Sequence, residues 1–173
     1  KKHPALNFIN LERNYIGVEG AVYLAHLLEN NLILKGLNLR YSHINSEGIK
    51  TLSKSLESNI ALEELYLGGN LAHFMGSESL ANVLMNNKTV RKLDLESNSL
   101  WVEGARSLTK IIRNNETLEE LRIKGNAIRD EGAKIIADSL KENRGIKKLC
   151  LEDNSISDEG TRAILKAIKY RIS

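Results

Sequence analysis

Val90-Arg91-Lys92-Leu93-Asp94-Leu95-Glu96-Ser97-Asn98-Ser99-Leu100, closing at Gly104, decides the fold of this chain. Its skeleton is L-x-x-L-x-L-x-x-N-x-L-x-x-x-G, with Val90 in the first leucine's place. The closing glycine recurs as Gly20, Gly48, Gly76, Gly104, Gly132 and Gly160, each 28 residues after the last, which makes six repeats. Other columns keep the same step. The asparagine column reads Asn14, Ser42, Asn70, Asn98, Asn126, Asn154, and the core leucines read Ile9, Leu37, Leu65, Leu93, Leu121, Leu149 and Leu11, Leu39, Leu67, Leu95, Ile123, Leu151. Repetition at this period identifies an array of like units before any other feature is weighed.

Each unit is strand, loop, helix, loop. The L-x-L alternation has the period of a short strand. After the asparagine the period lengthens, so that Ala105, Leu108, Ile111 and Ile112 form one helical stripe. Leu24 and Leu28, Leu52 and Leu56, Leu80 and Leu84, Ile136 and Leu140, Ile164 and Ile168 match it in the other repeats. Acidic residues before the glycine (Glu19, Glu47, Glu103, Asp130, Glu131, Asp158, Glu159) suit the positive end of a helix dipole. The helices are expected to run out at Asn30, Ser58, Asn86, Asn114 and Glu142. Stacked units place parallel strands about 4.8 Å apart and helices about 8–10 Å apart, which bends the stack by roughly 20–25° per repeat. The expected architecture is an α/β solenoid, a horseshoe arc with a parallel inner sheet and outer helices, and 1–173 reads as a single domain. Asparagine amides in the shared column can satisfy backbone groups of the neighbouring loop that burial would otherwise leave unpaired.

L-x-x-L-x-L-x-x-N-x-I-x-x-x-G-A-x-x-L-A-x-x-L, matched from Leu118 to Leu140 with Ile123 and Ile136 in two leucine places, resembles the ribonuclease-inhibitor-like class of leucine-rich repeats. The resemblance runs from Leu6 to Ile168. A single repeat length and asparagine in place of cysteine are closer to the repeats of NOD-like receptors than to ribonuclease inhibitor. It implies a mostly intracellular, protein-binding module, and a cytoplasmic location is expected.

The composition carries little electrostatic signal. Lysine plus arginine number 25 against 22 acidic residues, a formal charge of +3, with no polybasic or acidic block. The single cysteine, Cys150, excludes an internal disulfide and favours a reducing compartment. There is no long apolar run. Neither end shows a polar capping unit, so the sequence reads as a piece of a longer solenoid, or as one whose ends pack on further repeats or other chains.

Columns become ladders on the inner face. Asn7, Lys35, Glu63, Arg91, Glu119, Lys147 alternates in sign from repeat two, and Phe8, Gly36, Glu64, Lys92, Glu120, Lys148 from repeat three. Glu12, Arg40, Gly68, Glu96, Lys124, Glu152 alternates except at the glycine. Opposite charges on neighbouring strands favour one register. A face that neutralises itself is not the single-sign basic stripe that nucleic acid requires, nor does it offer an aromatic stacking platform.

The ladders fail at Tyr41, Tyr66, Gly68 and Gly69, an uncharged dip bordered by Arg40 and Asp94. Gly69 is expected to serve a positive-φ turn, Gly68 less so. Nearby, repeat three has Ala72 where its neighbours have Ile or Leu, followed by His73, Phe74 and Met75, and Trp101 stands at the offset of His73. Either Leu71 or Phe74 swings inward to fill the space beside Ala72, or Phe74, Trp101 and Val102 form an exposed apolar patch of the kind that binds partners. The candidate partner-binding residues are therefore Arg40, Tyr41, Tyr66, Gly68, His73, Phe74 and Trp101.

No chemistry competes with binding. His3, His26, His43 and His73 fall at different offsets with no zinc-ligand spacing. Cys150 has no histidine at a matching column, Gly68-Gly69 lacks a phosphate-loop context, and Arg122 and Lys124 stand beside Asp94 and Glu96 as their expected cationic partners. Asn87-Lys88-Thr89 and Asn115-Glu116-Thr117 match the glycosylation pattern but lie in the repeats' own helix-to-strand loops. The first expectation is a non-enzymatic protein-binding module without cofactor or metal, with no nucleic-acid or membrane partner. Two alternatives stand beside it: a GTPase-activating regulator resembling Ran GTPase-activating protein, using Arg13, Arg40 or Arg129, and a structural spacer.

Overall fold

The computed structural model describes residues 6–172, in which strand and helix alternate six times. The elements are β1 (Phe8–Asn10), α1 (Gly17–Asn30), β2 (Gly36–Asn38), α2 (Asn45–Ser55), β3 (Glu64–Tyr66), α3 (His73–Leu84), β4 (Lys92–Asp94), α4 (Trp101–Asn114), β5 (Glu120–Arg122), α5 (Arg129–Leu140), β6 (Lys148–Cys150) and α6 (Asp158–Ile172). The strands form one parallel sheet in sequence order, β1 to β6. Its register runs Phe8, Gly36, Glu64, Lys92, Glu120, Lys148, so equal offsets in the sequence are lateral neighbours in space. The core is correspondingly linear. Leu37, Leu65, Leu93 and Leu121 from the sheet and Leu52, Leu80, Leu108 and Ile136 from the helices are withdrawn from water. Each such side chain contributes about 1.5–3 kcal/mol against exposure.

Asparagine binds the layers together. The Asn98 amide oxygen accepts the N–H groups of Asn70 and Ala72 at 3.1 and 2.9 Å, and its nitrogen donates to the Leu67 carbonyl at 3.0 Å. Asn70, Asn126 and Asn154 repeat this pattern one layer apart. Ser42 has no amide to offer and instead donates its hydroxyl to Leu11 O at 3.1 Å.

A second asparagine ladder runs along the opposite edge, through Asn59, Asn87, Asn115 and Asn143. Asn115 donates to the carbonyls of Leu84 (2.6 Å) and Asn87 (2.7 Å) and accepts from the N–H groups of Thr117 and Leu118. Asn59, Asn87 and Asn143 do the same to the layers before them. The expected helix ends at Asn30, Ser58, Asn86, Asn114 and Glu142 thus fall one residue short of the position that matters. Both glycosylation-pattern asparagines, Asn87 and Asn115, have their amides committed to this ladder.

The first five helices begin three residues before the repeat glycine. Asn45, His73, Trp101 and Arg129 open α2 to α5 with φ between 51 and 57°. That left-handed turn aims the N–H groups of His73, Trp101 and Arg129 at the carbonyls of Asn98, Asn126 and Asn154, each at 2.9 Å. His73, Phe74 and Trp101 therefore belong to the first helical turns of α3 and α4. The glycine itself permits close helix packing: a Cβ on Gly132 would sit 3.2 Å from that of Ala105.

The sixth repeat departs from this scheme. Ser157 does not adopt the left-handed turn; its N–H and hydroxyl donate to the Asp130 carboxylate at 2.8 and 2.7 Å, and Gly160 N–H adds a third bond at 3.1 Å. Asp130 thus caps α6 from the layer before it.

Candidate protein-recognition surface

On the inner face the charge ladders form as ion pairs. Lys35 meets Glu63 at 2.9 Å, Arg91 meets Glu119 at 2.7 Å, and Lys147 meets Glu119 from the other side at 3.0 Å. In the next column Lys92 bonds Glu64 at 2.6 Å and Lys148 bonds Glu120 at 2.9 Å. The hydrogen bond from Lys92 holds the Glu64 carboxyl below its ordinary range, against a smaller opposing effect of burial. Burial pushes Glu120 up, but Lys148 and Arg122 together outweigh it and its titration also lies low. In these two columns repeats three to six therefore present carboxylates already satisfied by their neighbours, whereas in the third column Lys124 meets Glu96 at 3.8 Å and Asp153 at 3.3 Å.

Arg40 occupies the dip that the sequence reading left open. It crosses repeat three to bond Asp94, which is 1% exposed, and its guanidinium lies 5.1 Å from the centre of the Tyr66 ring. Arg40 passes over Gly68, where a Cβ would stand in ordinary contact with Arg40 Cγ at 3.5 Å and more tightly against the Glu96 carbonyl at 3.3 Å. Asp94 is thus held by an arginine two layers away, while its lateral neighbour Arg122 turns to Glu120 at 2.6 Å. Tyr66 donates its hydroxyl to Glu64 at 2.8 Å, and burial followed by this bond pushes the phenol up from its usual range. Arg40, Tyr66 and Gly68 form one group, and Phe8 borders it with ring centres 6.3 Å apart. Tyr41 belongs to the loop beyond: it covers Gly69, which has φ 69° as expected, and carries Arg13 over its own ring at 5.2 Å.

The second group lies where α3 and α4 begin. His73 and Trp101 stack with ring centres 5.4 Å apart and planes 18° from parallel, leaving His73 Nδ1 buried without a hydrogen bond. Ala72 stays fully buried in its own column, so neither Leu71 nor Phe74 swings inward. They are exposed, at 55% and 44%, with Met75 at 57% and Trp101 at 46%. Met75 lies outside the candidate set drawn from the sequence, although its column otherwise reads Glu19, Glu47, Glu103, Glu131, Glu159. One apolar residue in a column of acids discharges the first turn of α3. Tyr15 and His43 were missed as well. They share an offset with Leu71, stack at 4.8 Å, and extend the exposed edge toward repeat one. Among the described residues no ring contact joins this edge to the Arg40–Tyr66 group.

The arginines suggested for a GTPase regulator are unequal. Arg40 is tied to Asp94, Arg13 lies on Tyr41 and meets Glu12 at 3.5 Å, and Arg129 is exposed beyond the aromatic edge. Burial, and then Glu152, push the Cys150 thiol up, away from a reactive thiolate. Among the described residues no group of three or more His, Cys, Asp or Glu side chains is placed to hold a metal ion, and no helix is long and apolar enough to cross a membrane.

Residues 86–108 and 114–137 match the leucine-rich repeat family model. The fold is a leucine-rich repeat solenoid. The actin-binding site 2 of leiomodin-1 superimposes with a TM-score of 0.70 at 23% identity, covering 86% of this chain and 87% of that one. The C-terminal domain of Caenorhabditis elegans tropomodulin does so with a TM-score of 0.71 at 17% identity, covering 90% and 93%. No curated protein sequence matches this chain significantly. At these identities the neighbours speak to the shape of the solenoid and not to its ligand.

Proposed function

We propose that this chain is a non-enzymatic recognition module that binds a protein through the helix-start edge of repeats three and four, with Leu71, Phe74, Met75 and Trp101 as the apolar centre and Tyr41 and His43 beside it. The observation that carries this reading is that four large apolar side chains stand exposed side by side where the fold does not need them. The core column is already filled by Ala72 and Leu100, and the acid usual at that edge is absent. Aromatic and arginine side chains dominate the energetics of protein interfaces. The self-paired inner face supports the same assignment, because its charges offer a partner no net attraction. The single free thiol supports a reducing compartment such as the cytoplasm, and the uniform 28-residue repeat supports the ribonuclease-inhibitor-like subclass.

One structural neighbour is an actin-binding site, which makes actin the first protein to test. The experiment compares the wild-type chain with Trp101→Ala and Phe74→Ala, first in actin co-sedimentation and then as immobilised baits in extract of the source cells. Truncating a central aromatic anchor should weaken binding by about 2 kcal/mol, roughly thirtyfold. Both variants should keep a thermal midpoint within about 4 °C of wild type, because exposed side chains contribute little to folding. Partners retained equally by all three chains would defeat the assignment.

A further inference from the structure

Leu71, Phe74, Met75 and Trp101 stand on interior layers of the stack, and the ionised groups that border them share one sign. In the column of Met75 the flanking residues are Glu47 on α2 and Glu103 on α4. The Glu103 carboxylate meets no cation among the described residues, and Glu47 has only Lys50 at 3.9 Å, with both side chains well exposed. The cations farther along α4 are turned elsewhere, Arg106 to Glu131 at 3.4 Å and Lys110 to Asn82 at 2.8 Å. On the loop side no formal charge falls within 41–46, 69–75 or 97–102. An apolar strip with a poorly partnered carboxylate at each end is complementary to an apolar segment that carries a cation at each end.

The backbone of the edge selects the form of that segment. The N–H groups of Gly69, Asn70, Ala72 and His73 are all taken by the next layer, through Glu96 O, Asn98 Oδ1 and Asn98 O. A partner strand would need a ladder of free main-chain groups, whereas a helix satisfies its own and brings only side chains. Two helix spacings separate the starts of α2 and α4, roughly 16–20 Å. A helix lying across them covers that span in about 11–13 residues, three turns.

Building on the recognition surface assigned above, we propose that its occupant is an amphipathic helix of a partner protein, laid across the starts of α2, α3 and α4. Its apolar stripe rests on Leu71, Phe74, Met75 and Trp101, and a lysine or arginine at each end of the stripe, about three turns apart, meets Glu47 and Glu103.

Trp101 is the only tryptophan in the chain, so its emission reports occupation of the edge. The probes are tryptophan-free helical peptides of about 18 residues with one leucine stripe, identical except for lysine or glutamate at its two ends. At low salt the lysine peptide should shift the Trp101 emission and bind about tenfold or more tightly than the glutamate peptide. Glu47→Lys with Glu103→Lys should invert that order, while Glu131→Lys, in the same column but beyond the edge, should leave it as it was. A lysine peptide of the same composition with its leucines scrambled off the stripe should bind about tenfold more weakly. Equal affinity for lysine and glutamate peptides, binding of neither, an order that survives the double reversal, or full binding of the scrambled peptide would each overturn the proposal. Failure of the surface itself reads differently: the lysine peptide would then bind the Phe74→Ala chain as well as wild type, whereas loss of binding in Phe74→Ala without any charge preference would remove the basic helix and leave the surface standing.

Discussion

Replacing Asn98 by alanine isolates what binds one layer to the next. Asn98 is fully buried, and its side chain makes four bonds: from the N–H groups of Asn70 and Ala72, and to the carbonyls of Leu67 and Glu96. Leu67 O keeps a second donor in Asn70 Nδ2 at 3.0 Å, so the main damage is two N–H groups stranded away from water. Each costs about 1–3 kcal/mol, and the sum should be about 3–5 kcal/mol, at the upper end for a single substitution. For a domain of this size that lowers the thermal midpoint by about 10 °C or more. Asn14→Ala is the matched control, because Asn14 is exposed and bonds only within its own loop; its cost should stay near or below about 1 kcal/mol. Urea denaturation of both variants beside wild type reads the difference. Equal losses, or less than about 1 kcal/mol for Asn98→Ala, would refute the claim that the amide column joins the layers.

Two further outcomes follow from the inner face. Glu64, Glu119 and Glu120 titrate below their ordinary value of 4.5, so the stability they contribute is present above that pH and is lost as pH falls through their depressed folded values. Thermal midpoints should hold near neutrality and fall in acid, and Glu64→Gln combined with Glu120→Gln should flatten the acid limb; an unchanged limb would show that the ladders contribute nothing to register. Arg40→Met leaves the Asp94 carboxylate buried and unpaired, which should cost about 3 kcal/mol in urea denaturation, and adding Asp94→Leu should recover much of it. Failure of the second substitution to recover anything would mean that Arg40 stabilises by covering Tyr66 rather than by holding Asp94.

Most of the architecture was legible because the period carries it. Once Gly20 to Gly160 are aligned, register, layer order and the pairings of Glu64 with Lys92 and Glu119 with Lys147 follow from counting. What was missed has identifiable causes. The second asparagine ladder stands in the sequence as Asn59, Asn87, Asn115 and Asn143, one residue after the polar positions that the helical period marks as helix ends. Arg40 to Asp94 escaped because ladder reasoning pairs residues one period apart, and this bond skips a layer, passing over Gly68. The helix starts are not legible in the sequence because left-handed turns are expected at glycine, whereas here His73, Trp101 and Arg129 adopt them, held by the asparagine carbonyls of the next layer. The exposed edge was half legible: Phe74 and Trp101 stood out as aromatics, while Met75 is conspicuous only against the acids of its column.

A photo-crosslinking amino acid, p-benzoylphenylalanine, placed at Phe74 in one sample and at Lys92 in another, tests the assignment of the recognition surface most directly. Irradiated in cells of the source organism, the probe at position 74 should capture a discrete protein, and Trp101→Ala should abolish that adduct, while the probe at position 92 on the self-paired inner face captures none. Capture from position 92 but not from 74, or an adduct at 74 that persists in Trp101→Ala, would place the partner elsewhere on the solenoid and contradict the account.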